Sequence, residues 1–334
     1  MKIKGYAAFT KKADLKLFEY EPKKLDDKDV LIEITHCGIC HSDLHLIDND
    51  WQSSRYPFIP GHEIIGNVIG KGDKVTALEI GQRVGVGWQS GACFECEACE
   101  HGNDNQCIHQ EATCVGRNGG FAESIIVDSR FAFAVPENLT SENAAPLLCG
   151  GVTVYSPLVH HGVRPVDKVG VIGIGGLGHL ALQFAAAMGC EVTAFSTSSD
   201  KEKEAKSYGA HKFINSKDAK QMESAIRSLD FIISTVFVNL NWEEYIKILK
   251  PNGKFCFVGA PPAKLDIFIP PFAMSQKTVT GSAIGPRWMI REMLGFASRH
   301  NIQAKTELYP IKDVNKAITR LRENKVRYRA VLKM

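Results

Sequence analysis

The chain has no hydrophobic run of the length that a membrane span needs. No stretch of its sequence approaches the roughly 20 consecutive apolar residues that cross a bilayer. The N-terminus, MKIKGYAAFTKKADLKLFEYEPKK, has no apolar core of signal-peptide type, so a cytoplasmic protein is expected. A dominant charge of one sign is missing too. With 40 basic and 37 acidic residues the formal net charge is +3, which gives no electrostatic case for nucleic acid or a membrane surface as partner. Internal repeats and low-complexity segments are also lacking. What remains is a globular chain of 334 residues, 44% hydrophobic and 23% charged, long enough for two domains. Its expected ligand is a small molecule.

Cysteine, by contrast, is plentiful. Four of the ten cysteines, Cys93, Cys96, Cys99 and Cys107, fall in GACFECEACEHGNDNQC with the spacing Cys-x2-Cys-x2-Cys-x7-Cys. Four soft thiolates on one loop suit tetrahedral zinc best. Because such a set leaves no coordination position open, the metal would shape the loop rather than do chemistry. Disulfides, an iron–sulfur cluster or loose surface thiols are the alternatives. Against the cluster, a ferredoxin-type run has a shorter last gap followed by Pro, whereas Ile108 follows Cys107 here. The grouping of cysteines with histidines and carboxylates points to metal chemistry in a reducing compartment.

The pattern changes near residue 150. Before it, short β-like runs at 30–35, 64–69 and 83–87 are broken by Gly, Pro and Asp, which predicts a small β-barrel-like domain. After it, apolar runs at 168–172, 191–196, 212–215, 230–236, 254–259 and 278–283 alternate with helical segments. That predicts an α/β domain with a doubly wound, parallel, six-stranded sheet. A helix over 313–323 and a strand over 326–333 add no further βαβ unit and are expected to return to the first domain.

The second domain opens on KVGVIGIGGLG, which sets Gly173, Gly175 and Gly178 in G-x-G-x-x-G register between a strand and a helix, with Gly176 and Leu177 completing the turn. Glycines there let the backbone turn tightly and approach a pyrophosphate, whose charge meets amide N–H groups at the helix N-terminus. Leu177, Leu180, Ala181, Phe184 and Met188 form the helix's expected buried face, and Gly189 can end it. An acid is missing where it matters for coenzyme choice. The Asp or Glu that binds the ribose 2′-hydroxyl of NAD belongs at the end of the next strand, and here that strand runs into FSTSSDKEK. Ser196 and Thr197 can hydrogen-bond a 2′-phosphate and Lys201 can neutralise it, although Asp200 and Glu202 dilute the charge. NADP(H) is therefore expected in place of NAD; an ordinary polar helix cap is the alternative.

A second metal constellation is spread over the first domain: CGICHSDLH at 37–45, PGHE at 60–63 and LCG at 148–150. A Cys, a His and a Cys far apart in sequence match the open three-ligand set of a catalytic zinc.

At these residues the sequence resembles the zinc-dependent medium-chain alcohol dehydrogenases, in their cinnamyl alcohol dehydrogenase-like branch. The likeness rests on GICHSDLH at 38–45, YPFIPGHEIIG at 56–66, the cysteine quartet, GGFAES at 119–124, LLCGGVTVYSPL at 147–158, GIGGLGH at 173–179 and VRYR at 326–329. It implies a GroES-like catalytic domain from residues 1–149 and 286–334, a Rossmann domain from 150–285, and an active site in the cleft. It also implies two zinc ions per chain, NADP(H) and a homo-oligomer, a dimer by resemblance.

Carried over by position, Cys40, His62 and Cys149 are the implied catalytic zinc ligands, and Glu63 is an acidic neighbour able to tune the metal. Asp43 is the implied carboxylate behind the ligands, and Ser42 and His45 the proton relay. Thr153 is placed near the nicotinamide and Arg329 near the pyrophosphate, while Cys37 is expected to be a packed core thiol. The implied reaction is reversible hydride transfer between NADPH and an aldehyde polarised by zinc, with protons passing through Ser42, the ribose hydroxyl and His45. Trp51, Trp88 and Ala283 fall where the family lines its pocket. The segment between Cys107 and Gly119 is trimmed relative to the plant members, so their substrates do not transfer. A roomy apolar pocket for aromatic or medium-chain aldehydes is expected. An NAD-dependent zinc polyol dehydrogenase, a zinc-free quinone reductase-like relative and a zinc-binding interaction protein are the alternatives.

Overall fold

The structure is a computed structural model describing residues 2–262 and 264–334. The chain divides into two compact units, one of Met1–Val152 with Gly285–Met334 and one of Thr153–Ile284.

The first unit is built on a seven-stranded sheet. Its order is Thr306–Pro310, Arg329–Lys333, Asp29–Ile39, Glu63–Lys71, Arg83–Val86 and Phe133–Ala134, with Ser124–Asp128 also paired to the long strand Asp29–Ile39. The C-terminal strand Arg329–Lys333 lies antiparallel to Asp29–Ile39, with Ala330 opposite Ile39, so the chain end does return to the first domain. The helix behind it, Val314–Arg322, buries Val314, Ala317, Ile318 and Leu321, one stripe at helical spacing, into the unit's core. The expected strand at 30–35 is longer in the structure because residues 36–39 pair with Ala330–Lys333 on one side and residues 36–38 with Glu63–Ile65 on the other, and the strand expected from 326 begins only at Arg329.

The second unit carries the six-stranded parallel sheet, in the order Lys212–Asn215, Glu191–Ser196, Lys168–Ile172, Leu229–Ser234, Leu249–Phe257 and Thr278–Gly281. The central strand Lys168–Ile172 is a continuous apolar run because both faces are covered: Val169 and Val171 on one face and Ile172 on the other are buried. The fifth strand starts before its expected position at 254, since Leu249 already pairs with Leu229 and the Pro251-Asn252-Gly253 bend interrupts the ladder before Lys254. The order reverses on either side of Lys168–Ile172, which is where open α/β sheets bind ligands beyond their strand ends. The glycine-rich turn leaves the sheet there. Among the described residues, no helix is long and apolar enough to cross a membrane.

Candidate active site and metal centres

Two strand ends and one helical turn of the first unit converge. Asp29–Ile39 hands over to Cys40, which caps the helix His41–Ile47. Glu63 begins the next strand opposite Gly38, so His62 and Glu63 arrive beside Cys40. A Cβ on Gly38 would occupy the position of the Glu63 carboxylate, which is why that carboxylate can be buried there. Cys149 comes from the turn Ala145–Leu148, which packs so closely that a Cβ on Gly87 would lie 2.6 Å from the Leu148 carbonyl oxygen. The outcome is one ligand atom each from Cys40, His62, Glu63 and Cys149 within 4.8 Å of one another.

Asp43 organises this set. Its Oδ2 accepts the Cys40 N–H at 2.8 Å, and its Oδ1 accepts the Gly61 N–H at 2.9 Å and faces His62 Nδ1 at 3.1 Å. A buried carboxylate on Nδ1 makes that nitrogen the donor, so Nε2 carries the lone pair. His62 Nε2 is buried and has no hydrogen-bond partner among the described residues, and the same is true of Glu63 Oε2. Orphaned donor-set atoms flanked by two thiols fit a metal ion of zinc's preferences. Hydrogen bonding from Cys149 holds the Cys40 thiol well below its usual range, and the same contact together with burial pushes Cys149 up. Burial pushes Glu63 up to about 7 against the opposing charge of Arg329.

Ser42 and His45 lie on the helix His41–Ile47, three residues apart and hence on one face. Ser42 Oγ is 3.7 Å from Cys40 Sγ. His45 Nδ1 meets Asp50 Oδ2 at 2.9 Å. Trp51 tilts over His45 with ring centroids 5.3 Å apart, and Trp88 stands edge-on to His62 at 4.9 Å. Trp51 is 48% exposed. Cys37 is fully buried and burial pushes its thiol well up, which leaves it a packed core thiol and no redox partner for Cys40.

Cys93, Cys96, Cys99 and Cys107 also bring their four Sγ atoms within 4.8 Å of one another. All ten cysteines are free thiols, so the disulfide alternative does not hold. Backbone N–H groups of Glu95 and Cys96 converge on Cys93 and lower its thiol to about 6, while burial and the neighbouring thiols push Cys99 up to about 12.

In the second unit, Gly173 has φ +87° and a Cβ on Gly178 would clash with the Gly173 carbonyl, while a Cβ on Gly175 would meet nothing within 4 Å. Tight turn, close helix packing and an open approach are the three demands of a pyrophosphate loop. Gly176 and Leu177 are half-buried in the same turn. Thr235 Oγ1 pins it by donating to the Ile172 carbonyl at 2.8 Å. Ser196 Oγ accepts the Ser198 N–H at 3.2 Å, Thr197 is exposed, and Lys201 Nζ donates to the Ile174 carbonyl at 2.8 Å, inside the glycine turn. Thr153 is buried near the start of its helix, and Ala283 is exposed.

Arg329, expected near the pyrophosphate, has its guanidinium buried in the first unit and paired with Glu63. Burying a cation there requires an anion, and Glu63 supplies it. Sequence reasoning also missed Asp50 as the partner of His45, and Cys114, whose Sγ lies within 4.8 Å of the Asp43 and His62 ligand atoms. Asp50, an acid five residues past His45, was within reach of a local reading; Cys114 carried no local signal.

Comparison with known proteins agrees with this geometry. Residues 26–137 match the alcohol dehydrogenase GroES-like domain, and residues 176–299 match the zinc-binding dehydrogenase family. An aldehyde reductase of Synechocystis is 44% identical over 330 residues, covering 99% of this chain and 98% of its own. The chain belongs to the zinc-dependent medium-chain alcohol dehydrogenases, in the cinnamyl alcohol dehydrogenase-like branch. Mannitol dehydrogenase of Petroselinum crispum is 43% identical over 324 residues, covering 94% of this chain and 96% of its own. Among solved structures, a cinnamyl alcohol dehydrogenase from Sorghum bicolor has TM-score 0.94 and 39% identity, covering 100% of this chain and 98% of the other. CAD from Helicobacter pylori complexed with NADP(H) has TM-score 0.92 and 35% identity, with the same coverages of 100% and 98%. The protein is thus an oxidoreductase acting on small alcohols or aldehydes, and GroES-like and Rossmann folds describe its two units.

Proposed function

We propose that this alcohol dehydrogenase is an NADPH-dependent aldehyde reductase, reversible toward the alcohol, with two zinc ions per chain. The observation that carries the reading is His62 Nε2, buried, unpartnered and grouped with the Cys40 and Cys149 thiols. Cys40, His62 and Cys149 would hold a zinc ion, which would supply Lewis acidity at a carbonyl oxygen, and NADPH would supply the hydride.

The chain's own residues do the rest. Asp43 fixes the ring of His62 and the backbone of Cys40. Ser42 Oγ, beside Cys40, is the hydroxyl that hands a proton toward the substrate oxygen, and His45 is the group that exchanges it with water. Trp51 and Trp88 give the substrate side an apolar, aromatic wall, which favours aromatic or medium-chain aldehydes over polyols. Cys93, Cys96, Cys99 and Cys107 hold the second zinc and keep their loop folded. Ser196, Thr197 and Lys201 take the place of an acid at the ribose, which supports NADP(H), as does the coenzyme of the Helicobacter pylori enzyme.

The mannitol dehydrogenase relative favours a second reading, an NAD-dependent polyol dehydrogenase. Initial rates with NADPH and NADH over cinnamaldehyde, benzaldehyde and hexanal, and with NADP and NAD over mannitol, separate the two. The proposal expects the aldehydes with NADPH to be turned over best. Faster turnover of mannitol with NAD refutes it.

A further inference from the structure

Asp48 ends the helix that carries Ser42 and His45, and it is only 8% exposed. An acid at a helix C-terminus faces the negative end of the helix dipole, and a buried carboxylate needs a cation. Arg322 answers both needs. Its Nη1 and Nη2 donate to Asp48 Oδ2 at 2.5 Å and Oδ1 at 2.7 Å, a bidentate pair across most of the sequence. Arg322 itself is the last residue of the helix Val314–Arg322, whose Asn315 is anchored by hydrogen bonds in both directions to the Leu15 backbone, at 2.8 and 3.0 Å.

Two residues beyond Asp48 stands Asp50, whose N–H returns to the His45 carbonyl at 2.9 Å and whose Oδ2 meets His45 Nδ1. His45 and Asp50 are well exposed, with 38% and 46% of their side chains open to solvent. An ion pair in that setting is screened and does not hold a turn in place by itself. The Asp48–Arg322 pair differs in being two-pronged and in holding a carboxylate that is only 11% exposed, while the Arg322 side chain keeps 37% of its surface in solvent.

We propose that Arg322 is a positioning residue for the proton relay, anchoring Asp48 so that the following turn presents Asp50 and Trp51 to His45. The inference rests on the relay assigned above to Ser42 and His45. The printed bonds of Arg322 go to Asp48 and not to Cys40, Asp43, His62, Glu63 or Cys149.

The test uses the zinc-loaded enzyme with Arg322→Ala, Arg322→Lys, and the exchanged pair Asp48→Arg with Arg322→Asp, alongside His45→Ala. Arg322→Ala should lower kcat several-fold to about tenfold with the KM for NADPH held within twofold. Arg322→Lys and the exchanged pair should recover part of that loss. Added imidazole buffer should raise the rate of Arg322→Ala and of His45→Ala but not of wild type, since a free base can replace a displaced relay and has no means of mending a general folding defect. If His45→Ala is slow and rescued by imidazole while folded Arg322→Ala turns over normally, or is slow without rescue, Arg322 does not position the relay. If His45→Ala itself turns over normally, the relay assignment fails and the role of Arg322 falls with it.

Discussion

The Asp43 carboxylate lies 3.1 Å from His62 Nδ1, with both side chains fully buried. Two backbone donors, from Cys40 and Gly61, reach the same carboxylate. One acid therefore fixes the tautomer of His62 and the approach of Cys40, the two side chains proposed above, with Cys149, to hold zinc. Replacing it by Ala would leave three N–H donors unpaired, two of them buried, at about 1–3 kcal/mol for each buried one. Asp43→Ala should lose at least about 2 kcal/mol of stability in chemical denaturation. It should also lose catalytic activity before coenzyme binding, which a fluorescence titration with NADPH can follow.

Stability should fall as the pH drops below neutrality. Burial lowers His36 and His161, the latter with help from the neighbouring His160 and Lys254 charges. A histidine depressed in the folded state is protonated first in the unfolded chain. Its contribution is fully present above the unfolded value of about 6.5 and is lost as pH falls through the lower folded value. Protonation of the zinc-site thiolates acts in the same direction, so the histidine share is read by difference. The melting temperature of a His36→Gln, His161→Gln double variant should drop less than that of wild type between about pH 7 and pH 5.5. Equal slopes would show that neither histidine titrates with unfolding.

Coenzyme choice is tested at Lys201. A charge-assisted contact to a 2′-phosphate in a partly exposed site is worth on the order of 1.5–3 kcal/mol at most, and roughly a factor of ten in affinity corresponds to 1.4 kcal/mol. Lys201→Ala should weaken NADPH by about tenfold and leave NADH nearly unchanged. Its amine is bonded to the Ile174 carbonyl of the glycine turn, so the contact to phosphate has to compete with that bond. Ser196→Asp should go further, repelling the phosphate and offering an acceptor to the ribose of NADH. An equal loss for both coenzymes would show that this loop supports the turn and does not read the phosphate.

Much of this was legible in the sequence because the signals were local. The strands at 168–172, 191–196 and 212–215 appear where their apolar runs end against Gly, Ser and Asp, and the quartet Cys93, Cys96, Cys99 and Cys107 is one loop. The set Cys40, His62 and Cys149 became readable only through several motifs in a fixed order, since no spacing joins residues that different strands bring together. The Arg329–Glu63 pair was not readable at all. It depends on the C-terminal strand lying against Asp29–Ile39, a long-range register that no local pattern encodes. The Asp48–Arg322 pair is invisible in sequence for the same reason.

The most direct test of the account is elemental zinc per chain, measured on purified wild type, Cys149→Ala and Cys93→Ser. The two donor sets are separate: a closed all-thiolate site, and an open Cys40–His62–Cys149 site with Glu63 beside it. The account predicts about two zinc ions in wild type and about one in Cys149→Ala, with aldehyde reduction abolished and NADPH binding retained. Cys93→Ser should lose thermal stability along with its closed-site metal, because binding there is coupled to local folding. A wild type with one zinc or none, or a Cys149→Ala protein that keeps both ions and normal turnover, contradicts the account.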